Sequence, residues 1–450
     1  MKKDATIYAC GSCGYESPKW LGKCPSCGAW NTLVEDVRSY GREERHYSGR
    51  SKPIPITEIT TEEGSRFSSG NSELDRVLGG GIVPGSLILI GGDPGVGKST
   101  LLLQMARQTA RQGLTVLYLS GEESLLQIKL RASRLDVNHE RIFLLNEQSM
   151  ESLEKHIQAI NPHLVIVDSI QTVYVSGLSS IPGSITQLRE STIRIAELAK
   201  KSGRCFFLIG HVTKDGALAG PKVLEHMVDV VIYFEGEKNF SLRVLRSVKN
   251  RFGSTDEIGL LEMGNQGLIE VQDPSYAFLD KHTQPVSGIT VTPVYEGSRP
   301  FLIEIQALVT PSGPGYARRM ASGVDQNRLA LIVAVLEKRL DMHLASYDIY
   351  LKVSGGIFLK DPAVDLGIAA AIVSSYLDRP IPADSVFAGE ISLSGLISKA
   401  SFLEIRLKEA ERLGYKKAII SERSRAPFSN EGLTIAAIDS VKNLVEAMGG

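Results

Sequence analysis

Short hydrophobic runs alternate with amphipathic stretches through the middle of the chain. The runs are typical of strands buried on both faces, and four of them are SLILIGG, LTVLYLS, HLVIVDS and CFFLIGH. Apolar residues at helical spacing predict helices at 101–112, 125–135, 151–160 and 184–202. Strands that alternate with helices in this way predict an α/β fold with a parallel sheet that is covered on both faces.

The pattern changes after about residue 272. The segment DPSYAFLDKHTQPVSG is interpreted as a connector, and a second α/β pattern follows it. Its predicted strands include GITVTPVY and FLIEIQALV, and its predicted helices include 324–340 and 363–377.

The amino-acid composition limits the class of protein. Hydrophobic residues make up 43% of the 450 residues and charged residues 22%, as in an ordinary soluble globular protein. The net charge is −1, so a nucleic-acid partner would have to meet a local basic patch. No apolar run reaches membrane-spanning length, and the N-terminal sequence lacks the apolar core of a signal peptide. We therefore expect a cytoplasmic protein without a membrane partner.

Four of the five cysteines are clustered near the N-terminus. Cys10, Cys13, Cys24 and Cys27 form two C-x2-C pairs separated by ten residues. Four thiolates in this arrangement suit the tetrahedral coordination of structural Zn²⁺, and a reducing compartment favours metal over disulfides. Redox-active dithiols are the alternative, which two matched pairs disfavour. Cys205 lies in an apolar run and is interpreted as a buried structural thiol.

The predicted strand SLILIGG leads into a glycine-rich loop and a helix. The sequence GGDPGVGKST fits G-x4-G-K-[ST], the pattern of a P-loop. The backbone N–H groups would bind phosphates, Lys98 would neutralise the β- and γ-phosphates of ATP, and Ser99 would hold Mg²⁺. The predicted nucleotide-binding residues are Gly92, Asp93, Pro94, Gly95, Val96, Gly97, Lys98, Ser99 and Thr100.

Acidic residues follow two of the other strands. Asp168 ends the strand HLVIVD and is predicted to hold Mg²⁺ or its water as the Walker-B carboxylate. The next residue is Ser169, whereas many ring ATPases of the AAA+ class have the catalytic glutamate there. We therefore expect the base to be Glu122 or Glu123, at the end of the neighbouring strand, and two solvated acids are the alternative. His211 ends a further strand, either as a γ-phosphate sensor or as an ordinary loop histidine.

A basic stretch follows the nucleotide-binding motifs. Residues 238–255 contain no acidic residue, and their five basic residues are Lys238, Arg243, Arg246, Lys249 and Arg251. The alternation in FSLRVLRSV predicts a strand that leaves the core, with Arg243 and Arg246 facing away from it. Lys249 and Arg251 are two residues apart, so an extended backbone presents both on one side.

Three interpretations of Lys249 and Arg251 are open. The preferred one is that the pair reaches the γ-phosphate bound by a neighbouring subunit, as an arginine finger does. The second is that it binds DNA phosphates, with Phe252 stacking on a base. The third is a solvated edge strand.

The motifs, taken in order, resemble those of the bacterial RadA (Sms) DNA-repair proteins. The cysteine segment is followed by GGDPGVGKST, SGEES, VIVDSIQT, GHVTKDG, GPKVLEHMVD and KNRFG, so the resemblance covers essentially the whole chain. It implies a RecA-like ATPase that forms DnaB-like hexameric rings on single-stranded and branched DNA. It also implies promotion of branch migration in homologous recombination, with recombinase or replication proteins as partners.

The same resemblance assigns roles to individual residues. Glu122 matches the catalytic glutamate of RecA-type ATPases better than Glu123 does. RecA carries paired basic residues at the position of Lys249 and Arg251. The loop TKDGALAGPKVLEH supplies two further candidates for DNA contact, Lys214 and Lys222.

Residues 286–450 resemble the proteolytic domain of Lon proteases. LKDPAVDLGIAAAIVSSYLDRPI is similar to the segment with their nucleophile, and FAGEISLSGLISKASFLEIRLKEAERLGYKKAII to the segment with their catalytic lysine. Aligned by eye, Asp365 occupies the serine position and Glu404 the lysine position. Ser374 and Ser375 lie downstream in a helix. Because two acids cannot reproduce the chemistry of a Ser–Lys dyad, we expect no peptidase activity and interpret the domain as a scaffold for oligomerisation or DNA contact.

These observations predict five segments and one preferred function. The segments are a zinc ribbon at 1–35, a linker at 36–60, a RecA-like ATPase domain at 61–271, a connector at 272–285 and an inactive Lon-like domain at 286–450. The preferred function is a DNA-dependent ATPase motor that uses ATP, Mg²⁺ and Zn²⁺. An ATP-dependent protease is disfavoured by the missing dyad, and an ATP-gated scaffold is disfavoured by the ribbon and the basic stretch.

Overall fold

The computed structural model divides the chain into two compact units, Met1–Glu270 and Val271–Gly450. We describe each unit by itself. The division lies beside the predicted end of the ATPase domain at residue 271. The residues that the structure describes are 5–10, 15–26, 28–38, 55–58, 66–178, 180–211, 223–236, 241–280, 285–313, 317–424 and 432–449.

The N-terminal segment of the first unit forms a small antiparallel sheet. Its strands, in the order β2-β1-β3, are β1 (Ala5–Cys10), β2 (Glu16–Ser17) and β3 (Leu33–Arg38). β3 pairs with β1 along its whole length, so the strand continues past the predicted end of the ribbon at residue 35. The buried cluster consists of Cys10, Cys24 and Leu33. A cluster of this size is too small to stabilise a fold without a metal or another crosslink.

A nine-stranded sheet forms the centre of the first unit. Its strands are β4 (Leu87–Gly92), β5 (Val116–Ser120), β6 (Ile142–Asn146), β7 (Leu164–Asp168), β8 (Cys205–His211), β9 (Val230–Glu235), β10 (Leu242–Asn250), β11 (Ile258–Gly264) and β12 (Gly267–Glu270). The helices are α1 (Ser72–Val77), α2 (Lys98–Arg111), α3 (Leu125–Arg134), α4 (Met150–Ile160), α5 (Ile185–Ser202) and α6 (Val223–Met227). The predicted helices of this region are confirmed to within a few residues.

The order of the strands is β12-β11-β10-β9-β4-β8-β7-β5-β6. The strands from β9 to β6 are parallel, whereas β10, β11 and β12 extend the sheet as antiparallel neighbours. The predicted parallel sheet is therefore confirmed for its larger part. The antiparallel extension is a feature that the pattern of runs did not predict.

Both faces of this sheet are covered by helices. Alternate residues of β4 enter two different buried clusters, because successive side chains of a strand point to opposite faces. Ile88 and Ile90 pack in the cluster that contains α2, and Leu87 and Leu89 pack in the cluster that contains α4 and α5. Serine caps start three of the helices, with Ser124 before α3, Ser149 before α4 and Ser184 before α5.

The second unit contains a seven-stranded mixed sheet and a two-stranded ribbon. The strands are β13 (Ile289–Glu296), β14 (Arg299–Pro311), β15 (Arg319–Ser322), β16 (Tyr347–Val353), β17 (Ser385–Ala388), β18 (Glu390–Ile391), β19 (Ile397–Ser398), β20 (Lys417–Ser421) and β21 (Thr434–Ile438). The helices are α7 (Pro274–Phe278), α8 (Gln326–Leu340), α9 (Asp365–Leu377), α10 (Leu403–Arg412) and α11 (Leu444–Gly449).

The connector predicted at 272–285 contains α7, which packs on the second unit. The rings of Phe278 and Phe301 stack with their centroids 5.1 Å apart, and the Ser275 hydroxyl accepts a hydrogen bond from the Leu302 N–H at 3.1 Å. Pro274 and Phe278 are buried, which accounts for the folding of this part of the segment. No helix in the described ranges is long and apolar enough to cross a membrane.

Candidate nucleotide site

The P-loop connects β4 to α2, as predicted. Gly95 and Gly97 have positive φ angles of 83° and 119°, which an L side chain rarely adopts. A Cβ on Gly92 would lie 2.4 Å from the carbonyl oxygen of Phe234, so this position has no room for a side chain. The glycines of the motif are therefore required by the path of the backbone as well as by its approach to phosphate.

Side chains from β9 and from the antiparallel strands β10 to β12 pack against the P-loop. A Cβ on Gly97 would meet Met263 Cε at 2.8 Å, Phe234 Cε1 at 3.5 Å and Leu268 Cδ1 at 3.6 Å. The Nε of Arg243 donates a hydrogen bond to the carbonyl oxygen of Val96 at 3.0 Å. We call Phe234, Arg243, Met263 and Leu268 the loop floor. Four different strands, β9 to β12, each supply one of its side chains.

The side chain of Lys98 is hydrogen-bonded to the backbone of the P-loop. Its Nζ donates to the carbonyl oxygens of Gly92 at 2.6 Å and Asp93 at 3.0 Å, and the residue is buried. Burial lowers the pKa of the Lys98 ammonium, and the Asp168 carboxylate is the largest opposing influence. An ammonium in this position lies where the phosphates of a nucleotide would be bound.

Tyr118 bridges Asp168 and Ser99 by hydrogen bonds, a role that the sequence did not predict. The Tyr118 hydroxyl donates to Asp168 Oδ2 at 2.5 Å and is also hydrogen-bonded to the Ser99 side chain. Burial, followed by the charge of Asp168, raises the pKa of Tyr118 well above its usual value. A hydroxyl and a carboxylate are oxygen donors of the kind that Mg²⁺ prefers, so Ser99 and Asp168 fit the predicted magnesium site. The only signal for Tyr118 in the sequence is a hydroxyl group between the apolar residues Leu117 and Leu119.

The two candidate glutamates have different hydrogen-bond and ion-pair partners. Glu122 accepts a hydrogen bond from the Ser169 hydroxyl at 2.6 Å, and His211 Nε2 lies 3.3 Å from the same carboxylate oxygen. Glu123 is instead in an ion pair with Arg131. Glu122, Ser169 and His211 thus form one cluster, and Ser169 joins it to Asp168, the preceding residue.

The arginines of β10 do not face away from the core, so this part of the prediction is wrong. Arg243 is 7% exposed and lies in the loop floor. Arg246 has a side chain that is 13% exposed and lies 3.6 Å from Glu235 in an ion pair. The first five residues of β10 are buried or nearly so on both faces of the strand, and this part of β10 carries both arginines.

Lys249 and Arg251 both have partners within the chain. Lys249 Nζ donates to the carbonyl oxygens of Glu225 at 2.8 Å, His226 at 3.2 Å and Val228 at 2.8 Å, which lie at the C-terminal end of α6. Burial, and then the charge of Arg251, lowers the pKa of Lys249.

Arg251 is the more accessible of the two cations. Its Nη1 lies 2.9 Å from Asp229 Oδ1, and 53% of its side chain is exposed. Phe252 is partly buried and packs against the core cluster of the first unit. Part of the Phe252 ring is therefore taken up by packing, and its stacking on a base stays a prediction.

In the second unit, the acid at the predicted nucleophile position is part of a buried ion-pair network. Asp365 Oδ1 lies 2.6 Å from Arg328 Nε, and its Oδ2 accepts from the Ile391 N–H at 3.2 Å. Burial raises the pKa of Asp365, and Arg328 opposes this shift. Arg328 also donates to the carbonyl oxygen of Asp361 at 2.6 Å.

The other residues of the predicted dyad region also have structural partners. Glu404 is exposed and pairs with Lys408 at 2.7 Å, one helical turn away. The Ser374 hydroxyl donates to the Arg379 carbonyl oxygen at 2.6 Å, and the Ser375 hydroxyl accepts from the Val309 N–H at 2.9 Å.

The cysteine site is described in part. Cys10 and Cys24 are both buried in one cluster, as ligands of a shared metal would be, and thiolates suit Zn²⁺. Four predicted site residues lie outside the described residues, namely Cys13, Cys27, Lys214 and Lys222. Cys205 is buried, as predicted, and its thiol donates to the carbonyl oxygen of Val83 at 3.1 Å.

Two family models match the first unit. Residues 8–35 match the rubredoxin metal binding domain, and residues 55–217 match the AAA domain. The first match implies a bound metal, and the second implies ATP and Mg²⁺. Among solved structures, a KaiC-like protein from Pyrococcus horikoshii OT3 aligns with a TM-score of 0.39 and 19% identity, over 46% of this chain and 98% of its own.

Curated relatives match along their whole length. DNA repair protein RadA of Bacillus subtilis (strain 168) is 50% identical over 458 residues and covers 100% of both chains. RadA of Listeria monocytogenes is 48% identical over 96% of this chain and 93% of its own. RadA of Streptococcus pyogenes serotype M3 is 46% identical over 100% of both chains. Identity of this degree over the full length shows that the chain belongs to the RadA family of bacterial DNA repair proteins, with a P-loop ATPase domain and an N-terminal metal-binding ribbon.

Proposed function

We propose that this protein is a DNA-dependent ATPase that acts as a hexameric ring motor on single-stranded and branched DNA, and that it promotes branch migration during homologous recombination. The observation that carries the proposal is the cluster of Glu122, Ser169 and His211 beside Asp168 at the P-loop. This cluster supplies a carboxylate base that is distinct from the magnesium carboxylate, and both are needed for a water to attack ATP.

Each residue of the site has a separate part in hydrolysis. Bound MgATP supplies the reactive γ-phosphate. Lys98 neutralises the phosphates, and Ser99 and Asp168 hold the metal. Glu122 orients the attacking water and accepts its proton, while the Ser169 hydroxyl and His211 fix the direction of the carboxylate.

The exposed guanidinium of Arg251 supports action between subunits. More than half of this side chain is accessible, although it forms an ion pair with Asp229. In a ring, Arg251 would reach the nucleotide of the neighbouring subunit, with Lys249 next to it. The names of the relatives, which are DNA repair proteins, support DNA as the partner that stimulates the reaction.

The two remaining segments have proposed supporting roles. We assign Zn²⁺ to Cys10, Cys13, Cys24 and Cys27, where it would supply the folding energy that the small buried cluster lacks. The second unit would serve as a scaffold for oligomerisation or DNA contact. The partners of Asp365 and Glu404 support this role, because a nucleophile and a base for peptide cleavage are not available at these positions.

The experiment that tests the proposal compares ATP turnover with and without single-stranded DNA. A motor should hydrolyse ATP faster with DNA, and should extend a three-stranded recombination intermediate only when it hydrolyses ATP. The Lys98→Ala variant is the matched negative control in both assays. An ATPase rate that does not respond to DNA would favour the ATP-gated scaffold. DNA stimulation without extension of the intermediate would refute branch migration and retain the ATPase.

A further inference from the structure

Arg243 is a buried cation in the loop floor, a position that the hydrophobic pattern of β10 did not predict. Its exposure is 7%, and its Nε and Nη1 donate to the carbonyl oxygens of Val96 at 3.0 Å and Leu242 at 2.8 Å. The other members of the loop floor, Phe234, Met263 and Leu268, present apolar atoms to the same loop. The arginine is therefore the one charged side chain of the defined loop floor.

The peptide that Arg243 contacts is one of those that would bind phosphate. The carbonyl group of Val96 and the N–H group of Gly97 belong to the same peptide unit, and Gly97 directly precedes Lys98 and α2. A cation that binds the carbonyl oxygen polarises this unit, so its N–H becomes a stronger donor on the opposite side. The low dielectric of a buried site strengthens the effect.

We propose that Arg243 is a positioning residue for nucleotide binding, which fixes the Val96–Gly97 peptide and strengthens its N–H toward the phosphates of ATP or ADP. Arg243 acts through the peptide from behind the loop. This role goes beyond that of Lys98, which meets the phosphates directly. The inference rests on the P-loop as a nucleotide site and does not depend on DNA stimulation or ring formation.

The test is a calorimetric titration of the full-length protein with ADP and Mg²⁺ in the absence of DNA. We expect Arg243→Gln to weaken ADP binding by about tenfold, or about 1.4 kcal/mol, because the Val96–Gly97 peptide loses its charged hydrogen-bond donor. Arg243→Lys keeps the charge and should stay within about threefold of the unsubstituted protein. In steady-state ATP hydrolysis, Arg243→Gln should raise KM with a nearly unchanged kcat, as expected for loss of uniform phosphate binding.

A second variant displaces the arginine without removing it. A Cβ on Gly236 would lie 2.4 Å from Arg243 Cδ, so Gly236→Ala should push the side chain away from Val96. We expect it to weaken ADP binding in the same direction as Arg243→Gln. This variant decides the question if Arg243→Gln does not fold.

The matched control is Arg246→Gln, a loss of the same charge three residues further along β10. Arg246 pairs with Glu235 and lies on the other face of the strand from Arg243. Its substitution should leave ADP affinity within about twofold of the unsubstituted protein. Folded Arg243→Gln or Gly236→Ala protein with unchanged ADP affinity would overturn the proposal, and so would an equal loss in Arg246→Gln. A failure of the DNA motor would instead leave these ADP titrations as predicted.

Discussion

Replacement of Glu122 by glutamine tests the assignment of the catalytic base. Glutamine keeps an oxygen that accepts from the Ser169 hydroxyl, which is 2.6 Å away, but it cannot accept a proton. General-base catalysis contributes about 10²- to 10⁴-fold, or about 2.7–5.5 kcal/mol, so kcat should fall by this factor. Affinity for a non-hydrolysable ATP analogue should stay nearly unchanged.

Glu123→Gln is the control for this experiment, since it makes the same chemical change at the adjacent residue. Glu123 and Arg131 are a quarter to a third exposed, and ion pairs of this kind contribute about 0–1 kcal/mol. The control should hydrolyse ATP at nearly the normal rate, with a melting temperature lowered by no more than about 2–4 °C. Slow turnover in Glu123→Gln together with normal turnover in Glu122→Gln would refute our choice between the two residues.

Three further predictions concern the metal, the basic pair and the second unit. Purified protein should contain about one equivalent of Zn²⁺ per chain, and metal analysis of Cys24→Ala should find less; iron, or a folded protein without metal, would contradict the assignment. Lys249→Ala and Arg251→Ala should lose DNA-stimulated hydrolysis but still bind DNA, and mixing either with Lys98→Ala protein should restore some activity in mixed rings. Weaker DNA binding with a smaller salt dependence and intact basal ATPase would instead assign the pair to DNA. Arg406 is 2% exposed and lies 2.6 Å from Asp361, so Arg406→Ala should lower the free energy of unfolding in urea by about 3–5 kcal/mol, and an unchanged value would contradict a structural role for this pair.

The local features of the site could be predicted from the sequence. The P-loop, Asp168 and the acidic pair at 122–123 each follow a hydrophobic run directly, and parallel strands bring such ends to one edge of a sheet. The choice of Glu122 depended on a family resemblance, and its contacts with Ser169 and His211 became visible only in the fold. These residues are 47 and 89 positions from Glu122 along the chain.

The features that could not be predicted depend on contacts between distant segments. Arg243 and Val96 are 147 positions apart, and the position of β10 beside β9 brings them together. Hydrophobic alternation shows that a strand has two faces, but it does not show that helices or loops cover both of them. The packing of Phe252 against the core could not be predicted either, because nothing in the local pattern distinguishes an inward aromatic residue from an exposed one.

The hydrogen bonds between Lys249 and the end of α6 would oppose movement of this side chain toward a neighbouring subunit of the proposed ring. Three carbonyl oxygens surround its ammonium at 2.8–3.2 Å, so the charge is already solvated by the protein in an isolated subunit. Water or a monovalent counterion would not compensate for the loss of these three hydrogen bonds, whereas a multiply charged phosphate would. Lys249 would therefore stay inward on an idle subunit and turn outward only toward a nucleotide-loaded neighbour. The nucleotide-free protein would then bind polyanions non-specifically more weakly than its number of basic residues suggests.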